Sequence, residues 1–368
     1  MYFSSRKTKQ IITVLIGIPL AFLLTHCAES FDKPPEAVKV KVAEEITSDL
    51  SSPFDIAIVP DEAAAAKPGQ TLHHNDLLVA NFGDHTIRQI DKSTEPPTVR
   101  LFADADDTTA LNQPTGIAVE TKSLRGDIYV SNFLNQDGSI GGAITVFDKS
   151  GNLKGVIDDP LFNGARGIAY DVHHSSATEA IFFVSNMNNS TILKVVTNPA
   201  LPPADPSTTI TLYADLTFLG LGGKNPTQLA ISPIEPHNLY AANTGLRPPE
   251  EPLGSTISII PTAPATAIPV PTSDIRVILA GEVSGPLPLG FDNEGRLFTS
   301  DHAKGTLVMI DPQIGLKIAS VETGEAKMYG MAVGEGGVYL TAVAGGRIIE
   351  VAKSLLTGAA EGGGGHHQ

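Results

Sequence analysis

Five polar residues recur at one position of a repeated sequence pattern, and their side-chain oxygens are candidates for a binding site. Each ends a short apolar run such as residues 128–132, and they are Asn81, Asn132, Asn186, Asn243 and Asp301. In a ring-shaped protein they could line one rim. The alternative is that each side chain accepts a hydrogen bond from the turn that follows it. Repetition of one residue type at one position favours the structural role.

A second set of residues stands directly before another repeated run, typified by Gly116-Ile-Ala-Val119. The preceding residues are Phe54, Thr115, Arg166, Thr227, Leu287 and Tyr329. Thr115, Arg166, Thr227 and Tyr329 can donate hydrogen bonds, so with the neighbouring Asp55 they could bind a small anionic ligand at the mouth of a central channel. The alternative is that Arg166 pairs with Asp55 and the set only fills the channel.

The runs that carry these residues recur as a unit of short strands. Copies of the first run start at residues 55, 116, 167, 228, 288 and 330, which are 42 to 61 residues apart. Three further apolar runs follow in five of the six copies, separated by Gly, Asn and Asp turn signals. A four-stranded repeat of this length is typical of a β-propeller blade. The sequence therefore predicts an all-β fold, a six-bladed β-propeller of four-stranded antiparallel blades.

The sixth copy lacks a fourth strand, which would leave the outer edge of the last blade open. Residues 37–42, Ala-Val-Lys-Val-Lys-Val, alternate apolar and charged residues as an edge strand does. We expect this N-terminal strand to close the ring by joining the sixth blade. An amphipathic helix through Glu45 is the alternative. The propeller is predicted to span 37–355, followed by a disordered Gly-rich tail over 356–368.

The motifs Pro-x-Gly-Ile-Ala at 114–118 and Ile-Tyr-Val-Ser-Asn at 128–132 resemble those of NHL-repeat and gluconolactonase-like six-bladed propellers. The resemblance covers about residues 38–352. In the gluconolactonase family it implies a central calcium ion held by Asn and Asp directly before the repeated glycine. Here the matching positions are those from Phe54 to Tyr329 given above, and none is a carboxylate. We therefore expect no metal, no cofactor and no catalytic residues of that type.

Histidine pairs are the other candidates for chemistry. His73-His74 and His173-His174 fall in loops between first and second strands. Streptogramin lyases, which are also propellers, use channel histidines, but loop positions favour exposed side chains here. The chain has no Gly-x-Ser-x-Gly, no haem-attachment motif and no phosphate loop.

The first 27 residues are predicted to be a bacterial lipoprotein signal peptide. Arg6, Lys7 and Lys9 precede fourteen uncharged, largely apolar residues, 11–24, and the stretch ends at Cys27, the only cysteine. Leu-Thr-His-Cys at 24–27 resembles the lipobox, in which the cysteine is lipidated and begins the mature chain, although His26 departs from the small residue preferred there. Residues 28–36 would form a tether. An ordinary signal peptide is the alternative.

The expected function is that of an exported, lipid-anchored binding or scaffold module at the cell envelope. In a diderm cell, Ala28 after the cysteine would place it at the outer membrane or on its periplasmic face. The net charge of −15 makes nucleic acid a poor partner. Partners would be a protein or a small molecule at the propeller face, with the membrane touched only through the anchor. A hydrolase or lyase of the gluconolactonase or streptogramin-lyase type is the alternative.

Replacing Cys27 with Ser tests the anchor. The variant should pass from the membrane to the soluble envelope fraction, because a serine at that position cannot carry the diacylglyceryl thioether. Fatty-acid incorporation into the wild-type protein is the direct measurement. A wild-type protein without incorporated palmitate or other fatty acid would contradict the lipoprotein hypothesis.

Overall fold

The computed structural model describes residues 38–39, 45–47, 50–61, 72–104, 110–123, 125–135, 137–219, 225–244, 256–262, 268–279 and 283–356. The chain divides into two units, Met1–Glu36 and Ala37–Gln368. Every described residue belongs to the second unit. Cys27 and the predicted 28–36 tether lie outside the described residues, as does the tail after Leu356.

The described strands form six sheets, which are named here as blades 1 to 6. Blade 1 contains β3 (Pro53–Ile58), β4 (Leu77–Asn81), β5 (Thr86–Asp91) and β6 (Thr98–Ala103). Blade 2 contains β7 (Pro114–Val119), β8 (Ile128–Leu134), β9 (Ile140–Phe147) and β10 (Leu153–Ile157). Blade 3 contains β11 (Ala165–Tyr170), β12 (Ala180–Asn186), β13 (Thr191–Thr197) and β14 (Thr209–Asp215). Blade 4 contains β15 (Pro226–Ile231), β16 (Leu239–Asn243), β17 (Thr256–Ile260) and β18 (Arg276–Leu279).

The last two blades also include N-terminal strands. Blade 5 contains β19 (Leu289–Phe291), β20 (Leu297–Asp301), β21 (Thr306–Ile310), β22 (Lys317–Glu322) and β1 (Val38–Lys39). Blade 6 contains β23 (Met328–Val333), β24 (Gly337–Ala342), β25 (Arg347–Ala352) and β2 (Glu45–Thr47). Short 3₁₀ turns lie at Thr217–Leu219, Thr272–Asp274 and Val343–Gly345.

The blades are arranged in a closed ring. Within each blade, consecutive strands pair antiparallel from the first strand outward. The first strands contact one another in the cyclic order β3, β7, β11, β15, β19, β23 and back to β3. The six-bladed β-propeller predicted from the repeats is thereby confirmed.

The strand that closes blade 6 differs from the predicted one. An N-terminal strand does add to β25, but it is β2, whose Glu45 lies opposite Ile349 and whose Thr47 lies opposite Ile348. Within the predicted segment 37–42, Val38–Lys39 instead pairs in parallel with β22 of blade 5. The helix alternative through Glu45 is wrong too, because Glu45–Thr47 is extended.

Side-chain contacts explain why residues 45–47 take the closing position. Ile46 packs against the buried core shared by blades 1 and 6, which includes Leu50 and Ile348. Glu45 forms an ion pair of 3.1 Å with Arg347 on the neighbouring strand. The alternation read in residues 37–42 describes any edge strand, so it could not distinguish which blade edge that strand would join.

Apolar side chains fill the spaces between adjacent blades. One cluster joins Ile87 and Phe102 of blade 1 to Ile128 and Phe147 of blade 2. A separate cluster joins blade 5 to blade 6 and includes Leu356, which therefore packs in the core although the sequence assigned it to the tail. Burial between neighbours is the main source of stability in a fold of this kind.

Hydroxyl groups near the ends of second strands hold neighbouring blades together. Ser131 Oγ donates a hydrogen bond of 2.5 Å to the backbone oxygen of Arg166 in the next blade. Ser185 Oγ donates in the same way to Thr227 O, at 2.8 Å. These bonds fix the heights of β11 and β15 relative to the preceding blade, and hence the positions of Arg166 and Thr227 around the axis.

Shortening the N-terminus tests the closing strand. A chain beginning at Ser48 lacks β2, exposes the edge of β25 and loses the packing of Ile46, so its free energy of unfolding should fall by about 2–3 kcal/mol. Urea unfolding measures this. A chain beginning at Ala43 is the matched control, because it lacks β1 but keeps β2, and it should unfold close to the full chain. Equal midpoints for the two shortened chains would contradict the assignment of β2.

Candidate ligand-binding site at the channel mouth

A cavity of about 540 Å³ opens at one end of the central axis. Its walls are formed by Phe54, Phe82, Thr115, Phe133, Arg166, Met187 and Tyr329. We call it the channel-mouth cavity. Pockets for small organic ligands in proteins are typically of roughly 300–1,000 Å³, so the space is large enough for one such molecule.

Irregular pairing in the first strands brings four of these side chains to the cavity. In β3, β7, β11 and β23 the register shifts next to Phe54, Thr115, Arg166 and Tyr329. Such a β-bulge redirects a side chain that regular alternation would place elsewhere, and bulges are frequent beside binding sites. These four residues share one position of the repeat, whereas Thr227 and Leu287 occupy that position in the other two blades and are not part of the cavity wall.

The walls are mainly aromatic, and Arg166 is the charged residue among them. The rings of Phe54 and Tyr329 have centroids 4.6 Å apart, and Phe82 stacks on Phe54 at 5.1 Å. The guanidinium carbon of Arg166 lies 4.8 Å from the Phe54 ring centre and 5.5 Å from that of Tyr329. Its Nη1 also lies 2.9 Å from the sulfur of Met187. The aromatic faces stabilise the cation by cation–π attraction.

Two threonines predicted to donate to a ligand already donate to the backbone. The Thr115 hydroxyl bonds to Ala165 O at 3.0 Å, so this residue contributes shape to the cavity wall. Thr227 is not part of the wall. It is fully buried, and its hydroxyl donates to Ala242 O at 3.2 Å. Of the four predicted donors, Arg166 and Tyr329 are thus the two whose side chains give the cavity polar character.

Asp55 is buried on the channel axis beside the cavity and is 5% exposed. Its Oδ2 accepts a hydrogen bond of 3.0 Å from Ile117 N of blade 2, and its Oδ1 accepts one of 2.5 Å from Gln228 Nε2 of blade 4. Blades 1 and 4 are opposite in a ring of six, so this pair crosses the channel. Burial raises the pKa of Asp55 from 3.8 to about 7, although Ile117 N, Gln228 and the charge of Arg166 each oppose the rise.

The sequence missed Gln228, although a signal for it exists. At the position of Asp55 the other blades have Gly116, Gly167, Gln228, Pro288 and Gly330. Glycine is required where the strands approach closely, since a Cβ on Gly330 would lie 2.5 Å from the Cα of Asp55. Asp55 and Gln228 are the two long polar side chains in this set and stand three repeats apart. The pair could have been read from that spacing.

The five repeated Asn and Asp residues do not line the cavity. All five are buried and bond within the fold: Asn81 to Asp84, Asn132 to Thr145, Asn186 to Leu161 O, Asn243 to Ser258, and Asp301 from the backbone of Ala303 and Lys304. Only Asp301 accepts hydrogen bonds from the turn that follows it, as the structural alternative has it, whereas the four asparagines donate these bonds through Nδ2. The residue directly after each one is what reaches the mouth in blades 1 to 3, namely Phe82, Phe133 and Met187.

His302 occupies that same position in blade 5. Its ring lies edge-on to Tyr329 with centroids 5.2 Å apart. Burial lowers the pKa of His302, and the charge of Arg166 lowers it further, while a hydrogen bond with the Met328 backbone raises it. Its Nδ1 is buried without a hydrogen-bond partner among the described residues. Sequence reasoning weighed the histidine pairs and missed this single one.

The paired histidines lie away from the cavity, in exposed parts of the loops. His73, Asp76 and Asp91 have potential metal-ligand atoms within 4.8 Å of one another. The two carboxylates already have partners: Gln89 Nε2 donates a hydrogen bond of 2.6 Å to Asp76, and Arg100 Nη2 lies 3.2 Å from Asp91 in an ion pair. These contacts account for the two carboxylates without an ion.

His173 stacks face to face on His237 of blade 4, with ring centroids 3.5 Å apart. This contact joins the loops of two adjacent blades.

Within the part of the chain that the structure describes, no helix is long and apolar enough to span a membrane.

Several solved structures share this architecture at low sequence identity. A streptogramin B lyase is 16% identical with a TM-score of 0.51, over 81% of this chain and 80% of that one. An inactive virginiamycin B lyase variant from Staphylococcus aureus with quinupristin is 12% identical with a TM-score of 0.53, over 85% of each chain. The PQQ-bound aldose sugar dehydrogenase from Streptomyces coelicolor is 16% identical with a TM-score of 0.53, over 87% of this chain and 99% of that one.

No protein-family model matches this sequence, and no curated protein matches it. The similarities to solved structures are therefore similarities of fold, and they define the class of the chain as a six-bladed β-propeller. Because folds of this kind support many unrelated activities, the function has to be argued from the cavity itself.

Replacing Asp55 with Asn tests the buried carboxyl. Because the pKa is raised in the folded protein, the native state holds a proton between about pH 4 and pH 7 that the unfolded state releases, so stability falls as pH rises through this range. Between pH 5 and pH 8 the wild type should lose about 2–3 kcal/mol of unfolding free energy more than the variant does. Urea unfolding at the two pH values measures the difference. Parallel losses in the two proteins would contradict the assignment.

Proposed function

We propose that this propeller binds a small amphipathic anion in the channel-mouth cavity. The observation that carries the proposal is the position of Arg166, a cation only 5% exposed in a wall otherwise built from Phe, Tyr, Met and Thr. An apolar pocket with a few convergent polar groups is the usual form of a ligand site. The aromatic walls would hold a flat apolar body, and the guanidinium would hold an acidic group.

Energetics favour an anion over other polar ligands. A carboxylate or sulfonate can accept charge-assisted hydrogen bonds from a guanidinium, and such bonds are stronger than neutral ones. Within a partly dehydrated cavity, the screening of this attraction is weaker than in water. A divalent cation would be repelled by Arg166, which agrees with the expectation that no metal is held here.

The setting of this activity is also part of the proposal. The signal-like segment ending at Cys27 supports export and lipid anchoring at the cell envelope, so the cavity would sample small molecules outside the cytoplasm. A protein partner on the propeller face is compatible with the same anchor. The cavity gives the small-molecule role a defined site, whereas the described surface gives the scaffold role none of comparable definition.

A hydrolase or lyase is the second candidate, and His302 is the observation that favours it. The half-buried ring of His302 has a lowered pKa, so it is neutral near pH 7, and its Nδ1 has no partner among the described residues. A neutral imidazole beside a ligand cavity could accept a proton. Two of the similar folds belong to lyases. Turnover of a lactone and ester panel that is lost in His302→Gln would support it.

Replacing Arg166 with Met tests the binding proposal, because Met keeps apolar bulk and removes the charge. The probes are anilinonaphthalene sulfonate, which stays anionic at all working pH values, and N-phenylnaphthylamine, its analogue without the sulfonate. Wild type should bind the sulfonate at one site per chain, and the variant should bind it about tenfold or more weakly. Binding of the neutral analogue should change little. Fluorescence titration measures both.

Arg276→Met is the matched control, since Arg276 lies on the outer strand of blade 4 and donates to Gln313 O, away from the cavity. This variant should bind both probes as the wild type does. Non-saturating sulfonate binding, or equal weakening of both probes by Arg166→Met, would count against an anion site at Arg166.

A further inference from the structure

Asp55 is the second ionisable group of the site, and its surroundings differ from those of Arg166. Arg166 lies in the cavity wall, whereas Asp55 is enclosed by the first strands next to it. The two side chains belong to blades 1 and 3, and the charge of Arg166 acts on the Asp55 carboxyl. Any change in the charge of Asp55 therefore changes the electrostatic potential at the guanidinium, through surroundings that water screens poorly.

We propose that Asp55 sets the affinity of the channel-mouth cavity for anions: a protonated Asp55 carboxyl strengthens anion binding at Arg166, an ionised one weakens it, and the binding of neutral apolar molecules is unaffected. The inference rests on the binding function proposed above and adds a specificity residue to it. With Asp55 neutral, Arg166 gives the cavity a net positive charge. With Asp55 ionised, its negative charge compensates the positive charge of Arg166, and the free energy of binding an anion is less favourable.

Gln228 allows both forms of Asp55 to exist in one structure. Its amide can present Nε2 to an ionised carboxylate or, after rotation by half a turn, Oε1 to a protonated one. The separation of 2.5 Å is short for an N–H···O bond and within the range of an O–H···O bond. The hydrogen bond across the channel can therefore persist in either state, so proton exchange need not open the ring.

Among the described residues, most of the groups that face Asp55 are uncharged. Blade 2 presents the backbone N–H of Ile117, blade 4 presents the Gln228 amide, and blade 6 presents Gly330, which has no side chain. From blade 3 comes Arg166. His302 also interacts electrostatically with Arg166, but burial holds the pKa of His302 below its ordinary value. Its ring is therefore protonated only in more acidic solution. Asp55 is therefore the group expected to titrate near neutral pH.

The experiment compares the two probes between pH 6 and pH 8. Wild-type affinity for anilinonaphthalene sulfonate should rise several-fold as pH falls, at most about tenfold per pH unit because one proton is exchanged. Affinity for N-phenylnaphthylamine should stay constant. Asp55→Asn should bind the sulfonate at pH 8 as tightly as wild type does at pH 6, with no pH dependence over this range.

Asp76→Asn is the matched control, because Asp76 is another buried aspartate of blade 1 with a glutamine partner, Gln89, and a pKa raised by burial. It does not line the cavity, so this variant should keep the wild-type pH profile. An Asp76→Asn variant that also lost the profile would show a general effect of buried charge and overturn the assignment to Asp55.

A measurement on the wild type alone guards against a variant that fails to fold. Calorimetric titration in phosphate and in Tris at pH 7 gives the protons taken up on binding. The sulfonate should take up a fraction of one proton, and the neutral probe none. Arg166-dependent binding without proton uptake would overturn this inference and leave the binding function intact, whereas absence of binding by either probe would overturn the binding function itself.

Discussion

The close approach of six first strands around one axis is the constraint on which the rest of this structure depends. A side chain at the innermost position has almost no room, as shown by Gly116, where a Cβ would lie 2.4 Å from the backbone oxygen of Arg166 in the next blade. Glycine solves this packing problem in three blades. Two other blades carry Asp55 and Gln228 at this position, and their side chains form a hydrogen bond across the channel axis.

A carboxyl group on that axis is energetically costly when ionised, and the fold offsets part of the cost with fixed donors. The Asp55 carboxyl accepts hydrogen bonds from Ile117 N and from the Gln228 amide, and the charge of Arg166 also favours its ionised form. The effect of burial on the pKa is larger than these three effects together. An apolar pair of similar volume would cross the channel without this cost. The presence of one ionisable group, Asp55, in the most crowded part of the molecule is the feature that links the stability of the protein to its proposed ligand site.

The junction between blades 1 and 6 closes the ring with contacts that are far apart in the chain. β2 pairs with β25, and Thr341 Oγ1 donates to Phe54 O at 3.4 Å, which ties the last blade to a wall residue of the cavity. Lys92 lies over the ring of Tyr339, 4.0 Å from its centre, and Tyr339 donates to Glu350. Because Phe54 and Tyr329 come from these two blades, the shape of the cavity depends on this junction.

The sequence by itself determined the class of fold, the number of blades and the residues before each repeated glycine, because a repeat places equivalent residues at equivalent points of a ring. It also placed Thr115, Arg166 and Tyr329 at one mouth. Only the tertiary structure decided which N-terminal segment closes blade 6, since a short edge strand carries the same alternation whichever edge it joins. Likewise, only the folded ring brought Phe82, Phe133 and Met187 to the mouth and placed His302 against Tyr329. Those contacts span blades, and local sequence patterns describe hydrogen bonding and burial within a blade.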